Sequence, residues 1–102
     1  MLGESAFAQM KDGVRIVSTA RGGIIDEAAL LAALKNEKVA GVALDVFAQE
    51  PHGLTELISH PRVIGTPHIG AQTAEAQARA SADIAEEVLS ALHGKPLRWK
   101  VN

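Results

Sequence analysis

Cysteine is absent from this 102-residue chain, and only three residues are aromatic. The absence of cysteine excludes disulfide bonds and thiol chemistry within the chain, and it fits a cytoplasmic protein. The formal net charge is −2, and lysine and arginine form no cluster, which argues against a nucleic-acid surface. No apolar run is long enough to span a bilayer, and Glu4 interrupts any secretory pattern near the start. We therefore expect one small domain without a nucleic-acid or membrane partner.

Short apolar stretches rich in β-branched residues alternate with stretches of helical periodicity. Predicted strands cover Val14 to Thr19, Val39 to Leu44 and Val63 to Thr66. Predicted helices cover Gly3 to Met10, Glu27 to Asn36 and Thr73 to His93. This alternation predicts an α/β fold with a three-stranded parallel sheet. The edges of so small a sheet would be exposed, which suggests a piece of a larger domain.

The last predicted helix has an apolar series at four-residue spacing. Ile84, Val88 and Leu92 share one face, which we expect to be buried. The Ala-rich first half of the helix would allow another element to approach closely. Gly94 is predicted to end this helix.

Polar residues stand near the carboxyl end of each predicted strand. Arg21 follows the first strand in a turn with two glycines, Asp45 ends the second, and His68 follows the third. Glu50 lies in the loop after the second strand. Because parallel strands end along the same edge of a sheet, we expect these four side chains to converge on one crevice.

The four residue types suit the oxidation of a 2-hydroxy acid. A histidine can move a proton on and off an oxygen, and a carboxylate on its other nitrogen fixes the tautomer. An arginine holds a carboxylate through two hydrogen bonds and polarises the adjacent carbonyl. Asp45 has the chemistry to accept a hydrogen bond from an amide.

Each of these residues also has a structural interpretation. Arg21 and Glu50 would then be solvated loop residues, Asp45 a loop cap, and His68 an ordinary loop histidine. The remaining histidines, His52, His60 and His93, are interpreted as surface residues or, for the last, as a complement to a helix dipole. Their spacing matches no metal-ligand pattern, so no metal site is predicted.

Four ordered motifs resemble the NAD-dependent D-2-hydroxyacid dehydrogenases. The motifs are STARGGIIDEAAL (18–30), AGVALDVF (40–47), Glu50-Pro51 and TPHIG (66–70). The resemblance covers nearly the whole chain. The resemblance implies a Rossmann-like doubly wound domain, of which this chain would be the part with three parallel strands.

The resemblance also implies roles for the residues at the sheet edge. Arg21 would bind the substrate carboxylate, His68 would be the general acid/base, and Glu50 would be its partner. Asp45 would contact the nicotinamide carboxamide of NAD. The nicotinamide end would be lined by these residues: Thr19, Ala20, Arg21, His68, Ile69, Gly70 and Ala71. Hydride would pass between NAD and the substrate, with glycerate and lactate among the possible acids.

The chain departs from the family pattern in lacking the Gly-x-Gly-x-x-Gly phosphate loop and the acidic residue for the adenosine ribose. The resemblance then divides the chain into the C-terminal half of an NAD-binding domain (1–71), a long crossover helix (72–94) and a tail toward the substrate domain (95–102). We expect the missing N-terminal half to be a partner, and the chain alone to bind NAD weakly. A self-associating, non-catalytic half-domain is the alternative, and a homo-oligomer is expected.

Overall fold

A computed structural model describes residues 1–101 of the chain. The elements, in chain order, are α1 (Glu4–Gln9), β1 (Val14–Ser18), α2 (Glu27–Lys35), β2 (Val39–Leu44), β3 (Val63–Gly65) and α3 (Ala74–Leu92). The chain divides into two compact units. The first is Met1–Ile69, and the second begins at Gly70.

The sheet of the first unit has the strand order β1-β2-β3, and both neighbouring pairs are parallel. Val17 pairs with Ala43, and Ala43 pairs with Ile64. The α/β class and the three parallel strands are therefore as predicted. Asp45 continues the pattern past β2, because its N–H donates to the carbonyl of Ser18 at the end of β1 (2.9 Å). All three strands end along one edge of the sheet.

Helix α2 covers one face of this sheet. It begins at the predicted N-cap, Asp26, whose side chain accepts a hydrogen bond from the N–H of Ala29 (3.0 Å). Leu30 and Leu34 are almost fully buried, as is Val39 of β2. Phe7 of α1 joins the same core. Burial of these side chains fixes the start of α2, and with it the turn that joins β1 to α2.

Some apolar side chains of the sheet remain exposed. Val17 of β1 and Ile64 of β3 are 78% and 68% exposed. Since each is paired with Ala43 of the central strand, they form one apolar row across the sheet. We call Val17, Ala43 and Ile64 the open row.

In the second unit, α3 begins at Thr73, whose hydroxyl accepts from the N–H of Ala76 (3.1 Å). Gly94 follows its end with a φ of +65°. The expectation that this helix buries an apolar face was wrong for the described residues, because Ile84, Val88 and Leu92 are all more than half exposed. Periodicity shows which side chains share a face but does not show what covers them.

The division of the chain at residues 71 and 94 stays a prediction. Among the described residues, no helix combines the length and the hydropathy that crossing a bilayer requires.

Candidate active site

The turn after β1 places Arg21 at the surface. Thr19, Ala20 and Arg21 are all exposed, and Arg21 Nη1 donates to the carbonyl of Ala20 (2.8 Å). Gly23 turns the chain toward α2 with a φ of +79°, a conformation that glycine adopts without strain. An exposed guanidinium beside small residues is accessible to a carboxylate.

Asp45, at the end of β2, is the one buried charged side chain among residues 1–101, with 6% of its surface exposed. Its Oδ1 accepts from the hydroxyl of Thr66 (2.5 Å) and from the N–H of Ile69 (2.8 Å). These two bonds flank His68 along the chain. Asp45 therefore holds in place the segment that carries the predicted acid/base.

His68 and Glu50 form a pair, as their predicted roles require. His68 Nδ1 lies 2.7 Å from Glu50 Oε2. Because an ionised carboxylate only accepts hydrogen bonds, Nδ1 carries the proton in this contact and Nε2 is left for other chemistry. His68 also adopts a φ of +55°, a left-handed conformation that is uncommon for a residue with a side chain and that occurs at functional sites.

The second oxygen of Glu50 is also engaged. Its Oε1 accepts from the N–H of Phe47 (3.0 Å). The hydrogen bond from His68, and after it the one from Phe47, hold the pKa of the Glu50 carboxyl below its ordinary value, although desolvation and the like charge of Asp45 act to raise it. Glu50 thus stays ionised and orients the imidazole.

A cavity of about 150 Å³ adjoins the pair. It is lined by Phe47, Glu50, Pro51, His52, Pro67 and His68. His52, which we interpreted as a surface residue, is half-buried, with its ring centroid 4.3 Å from that of Phe47. Sequence reasoning missed Phe47 and Thr66 as parts of this site, since neither carries a group with obvious catalytic chemistry.

Arg21 borders a narrow crevice with Ser18, Gly22 and Val46, which is separate from the cavity beside His68. The turn that carries Arg21 nevertheless lies against the backbone of the loop that carries Glu50. A Cβ added to Gly22 would lie 2.0 Å from the carbonyl oxygen of Phe47. Phe47 is in turn bonded to Glu50, so one residue links the Arg21 turn to the Glu50–His68 pair.

The other predicted positions are less informative. Ile69 is exposed and bonds to Asp45 through its backbone, whereas Gly70 and Ala71 are exposed residues of the second unit. His60 Nδ1 accepts from the N–H of Arg62 (3.2 Å), and His93 Nδ1 donates to the carbonyl of Leu89 (2.8 Å). Within residues 1–101, no three acidic or histidine side chains are grouped as a metal site would require.

Residues 1–70 match the family described as D-isomer specific 2-hydroxyacid dehydrogenase, NAD binding domain. The chain belongs to this family. The predicted family, fold class and NAD cofactor class are thereby confirmed. The match ends at residue 70, so it includes Arg21, Asp45, Glu50 and His68.

Individual relatives agree with this assignment. D-3-phosphoglycerate dehydrogenase of Bacillus subtilis (strain 168) is 52% identical over all 102 residues. A glyoxylate reductase from Paecilomyes thermophila is 45% identical with a TM-score of 0.86, over 95% of this chain and 30% of its own. A Xanthobacter autotrophicus Py2 member of the family, solved with NADPH and MES, is 30% identical with a TM-score of 0.86, over 99% of this chain and 41% of its own.

These relatives are much longer than the chain. The 102 residues correspond to 19% of the Bacillus subtilis enzyme.

Proposed function

We propose that this chain supplies the catalytic edge of an NAD-dependent D-2-hydroxyacid dehydrogenase, acting on 3-phosphoglycerate to give 3-phosphohydroxypyruvate. The observation that carries the proposal is the Glu50–His68 pair at 2.7 Å beside a cavity at the carboxyl edge of a parallel sheet. The choice of acid follows the name of the Bacillus subtilis relative, which is 52% identical. Glycerate and lactate are the alternative substrates.

In this proposal the residues of the chain have separate tasks. Arg21 binds the substrate carboxylate and orients the carbon that carries the hydroxyl group. His68 Nε2 accepts the hydroxyl proton as the alcohol is oxidised and returns it in the reverse direction. Glu50 keeps the proton on Nδ1 and stabilises the imidazolium that forms.

The edge also suits the nicotinamide end of NAD, which accepts the hydride in this chemistry. The exposed Thr19 and Ala20 are small, and Asp45 is a carboxylate of the type that accepts an amide N–H. We assign the nicotinamide end to Thr19, Ala20, Arg21 and Asp45, together with His68 and Ile69 of the same unit. The phosphate-binding motif of such domains does not occur in these residues, so tight NAD binding requires additional protein.

A chimera tests the proposed activity and substrate. These 102 residues would replace the matching segment of the Bacillus subtilis enzyme, and reduction of NAD would be followed with 3-phosphoglycerate, glycerate and D-lactate. The proposal expects the highest kcat/KM with 3-phosphoglycerate. A soluble chimera that prefers lactate would overturn the choice of acid, and one that oxidises none of the three would overturn the dehydrogenase function.

Calorimetric titration of the chain alone with NAD tests whether tight cofactor binding requires protein beyond these residues. We expect a Kd weaker than about 1 mM, because the phosphates find no glycine-rich loop here. A micromolar Kd would show that these residues hold the cofactor without a glycine-rich phosphate loop.

The proposal includes a cytoplasmic location and partners that cover the sheet. The open row of Val17, Ala43 and Ile64 supports an association, either with the remainder of a longer dehydrogenase or with a second copy. Light scattering after size-exclusion chromatography distinguishes the two. A dimer that becomes monomeric in the Val17→Lys variant supports self-association, and a monomer assigns the row to the remainder of the enzyme.

A further inference from the structure

The turn carrying Arg21 and the loop carrying Glu50 contact each other at two places. One is the approach of Gly22 to the carbonyl of Phe47, which leaves no room for a Cβ. The other is a hydrogen bond: Oε1 of Glu27 accepts from the N–H of Ala48, with a separation of 2.6 Å. Glu27 and Ala48 are 21 positions apart in the chain. No part of the proposed reaction uses Glu27.

The position of this hydrogen bond is informative. Glu27 is the first residue of α2, six residues after Arg21, and it is half-buried. Ala48 follows Phe47, whose own N–H donates to Glu50 Oε1. Two successive backbone N–H groups of the loop are therefore held by carboxylates, Ala48 by Glu27 and Phe47 by Glu50. Hydrogen bonds to a charged acceptor are stronger than those between neutral groups.

We infer that Glu27 is a positioning residue for the active site, because its hydrogen bond to Ala48 holds the Glu50 loop against the Arg21 turn. This inference rests on the proposed function, in which Arg21 and the Glu50–His68 pair act on one substrate. We call this Glu27–Ala48 hydrogen bond the clamp. The clamp sets the orientation of the Phe47 N–H, and through it the orientation of Glu50. His68 and Asp45 are the other ionisable groups that act on Glu50.

A purely structural role for Glu27 is a clear alternative. An acidic residue in the first turn of a helix is stabilising through the helix dipole, whatever it touches. The two roles respond differently to substitution. Glu27→Gln removes the charge but keeps an oxygen that accepts the Ala48 N–H, whereas Glu27→Ala removes both. Glu4, in the first turn of α1, is the matched control, since its substitution changes only a first-turn charge.

The first measurement is amide hydrogen exchange at Ala48 in the unmodified chain. Ala48 is an exposed loop residue, so its amide is protected only if the clamp forms. We expect exchange at least about tenfold slower than in an unstructured peptide, since hydrogen bonds to charged groups contribute about that factor or more. Exchange at the peptide rate would overturn the inference without any variant.

The second measurement compares the variants by amide exchange and by the pKa of Glu50 from carboxyl carbon NMR. In Glu27→Ala we expect exchange at Ala48 to accelerate about tenfold, and the pKa of Glu50 to rise toward its ordinary value as the Phe47 hydrogen bond loosens. Glu27→Gln should change both properties less than Glu27→Ala does, because its amide oxygen still accepts the Ala48 N–H although the charge is lost, and Glu4→Ala should change neither. Equal effects in Glu27→Gln and Glu27→Ala would overturn the inference in favour of the dipole role.

The two proposals fail separately. If His68→Ala, which removes the hydrogen-bond donor, leaves the pKa of Glu50 unchanged, the Glu50–His68 pair does not form in solution and the proposed function fails. If His68→Ala raises that pKa but Glu27→Ala does not, the pair stands and the positioning role of Glu27 is overturned.

Discussion

At the scale of the single residue, Asp45 shows how one buried carboxylate organises a site. Its Oδ1 accepts hydrogen bonds from the hydroxyl of Thr66 and from the N–H of Ile69, which precede and follow His68 in the chain. His68 between them has a left-handed backbone conformation. A buried charge is tolerated only when such partners satisfy it. The geometry thus gives Asp45 a structural task in addition to its proposed contact with nicotinamide.

Replacing Thr66 tests this task. Thr66→Val removes the hydroxyl that donates to Asp45, and we expect a loss of about 1 to 3 kcal/mol in the free energy of unfolding, because a buried charge loses a partner. Thr66→Ser keeps the hydroxyl and should cost much less. Urea denaturation measures both. Equal losses in the two variants would mean that the methyl group, and not the hydrogen bond, matters.

Glu50 predicts a pH dependence of stability. Its pKa is lowered in the folded chain, so folding favours the ionised form. The stabilisation is complete above the ordinary glutamate pKa of about 4.3, and it is lost as the pH falls through the lower folded value. We expect Glu50→Gln to flatten this part of a plot of Tm against pH, while the Glu4→Gln control leaves it unchanged. An unaltered profile in Glu50→Gln would contradict the pairing.

The chemistry of individual residues was easier to predict than their contacts. Arg21, Asp45, Glu50 and His68 were identified because guanidinium, carboxylate and imidazole groups at strand ends suggest a reaction. The hydrogen bonds of Glu27 and Thr66 were not predicted, because they join positions 21 residues apart through loop geometry that carries no periodic signal. Their residue types have no signature of their own.

At the scale of the element, α2 is specified by its cap. Asp26→Ala removes the acceptor for the N–H of Ala29, and we expect a loss of about 0.5 to 2 kcal/mol in the free energy of unfolding. Asp26→Asn keeps an acceptor and serves as the control in the same urea titration. If both variants lose the same amount, the charge of Asp26 is what stabilises the helix.

The turn between β1 and α2 depends on Gly22. Since a Cβ there would lie 2.0 Å from the Phe47 carbonyl oxygen, we expect Gly22→Ala to force the two loops apart, with a loss of about 1 to 3 kcal/mol. A Cβ at Gly53 meets nothing within 4 Å, so Gly53→Ala is the control and should be nearly neutral. Thermal unfolding of both variants checks this, and a neutral Gly22→Ala would contradict the close contact.

Helices and strands were predicted to within one or two residues, and β2 matches its prediction at both ends. Their bounds follow from caps, glycines and runs of β-branched residues, which are local signals. The expected burial of Ile84, Val88 and Leu92 was wrong because burial depends on a partner surface. Local sequence contains no information on that partner.

At the scale of the whole molecule, parallel pairing is what brings the site together. Alternating strands and helices predict parallel strands, and parallel strands place Asp45 and the residues after β1 and β3 along one edge. This part of the site was predictable from the sequence. The separation of Arg21 and His68 into two adjoining crevices was not, because it depends on how the 46–50 loop lies between them.

The most direct test of the central claim is the kcat of the chimera carrying His68→Gln, measured with saturating NAD and 3-phosphoglycerate. We predict a loss of about 10² to 10⁴-fold relative to the unsubstituted chimera, because glutamine cannot transfer the proton. His60→Gln, a histidine outside the cavity, should leave kcat within about twofold. If His68→Gln also retains kcat within that range, His68 is not the acid/base and the account is contradicted.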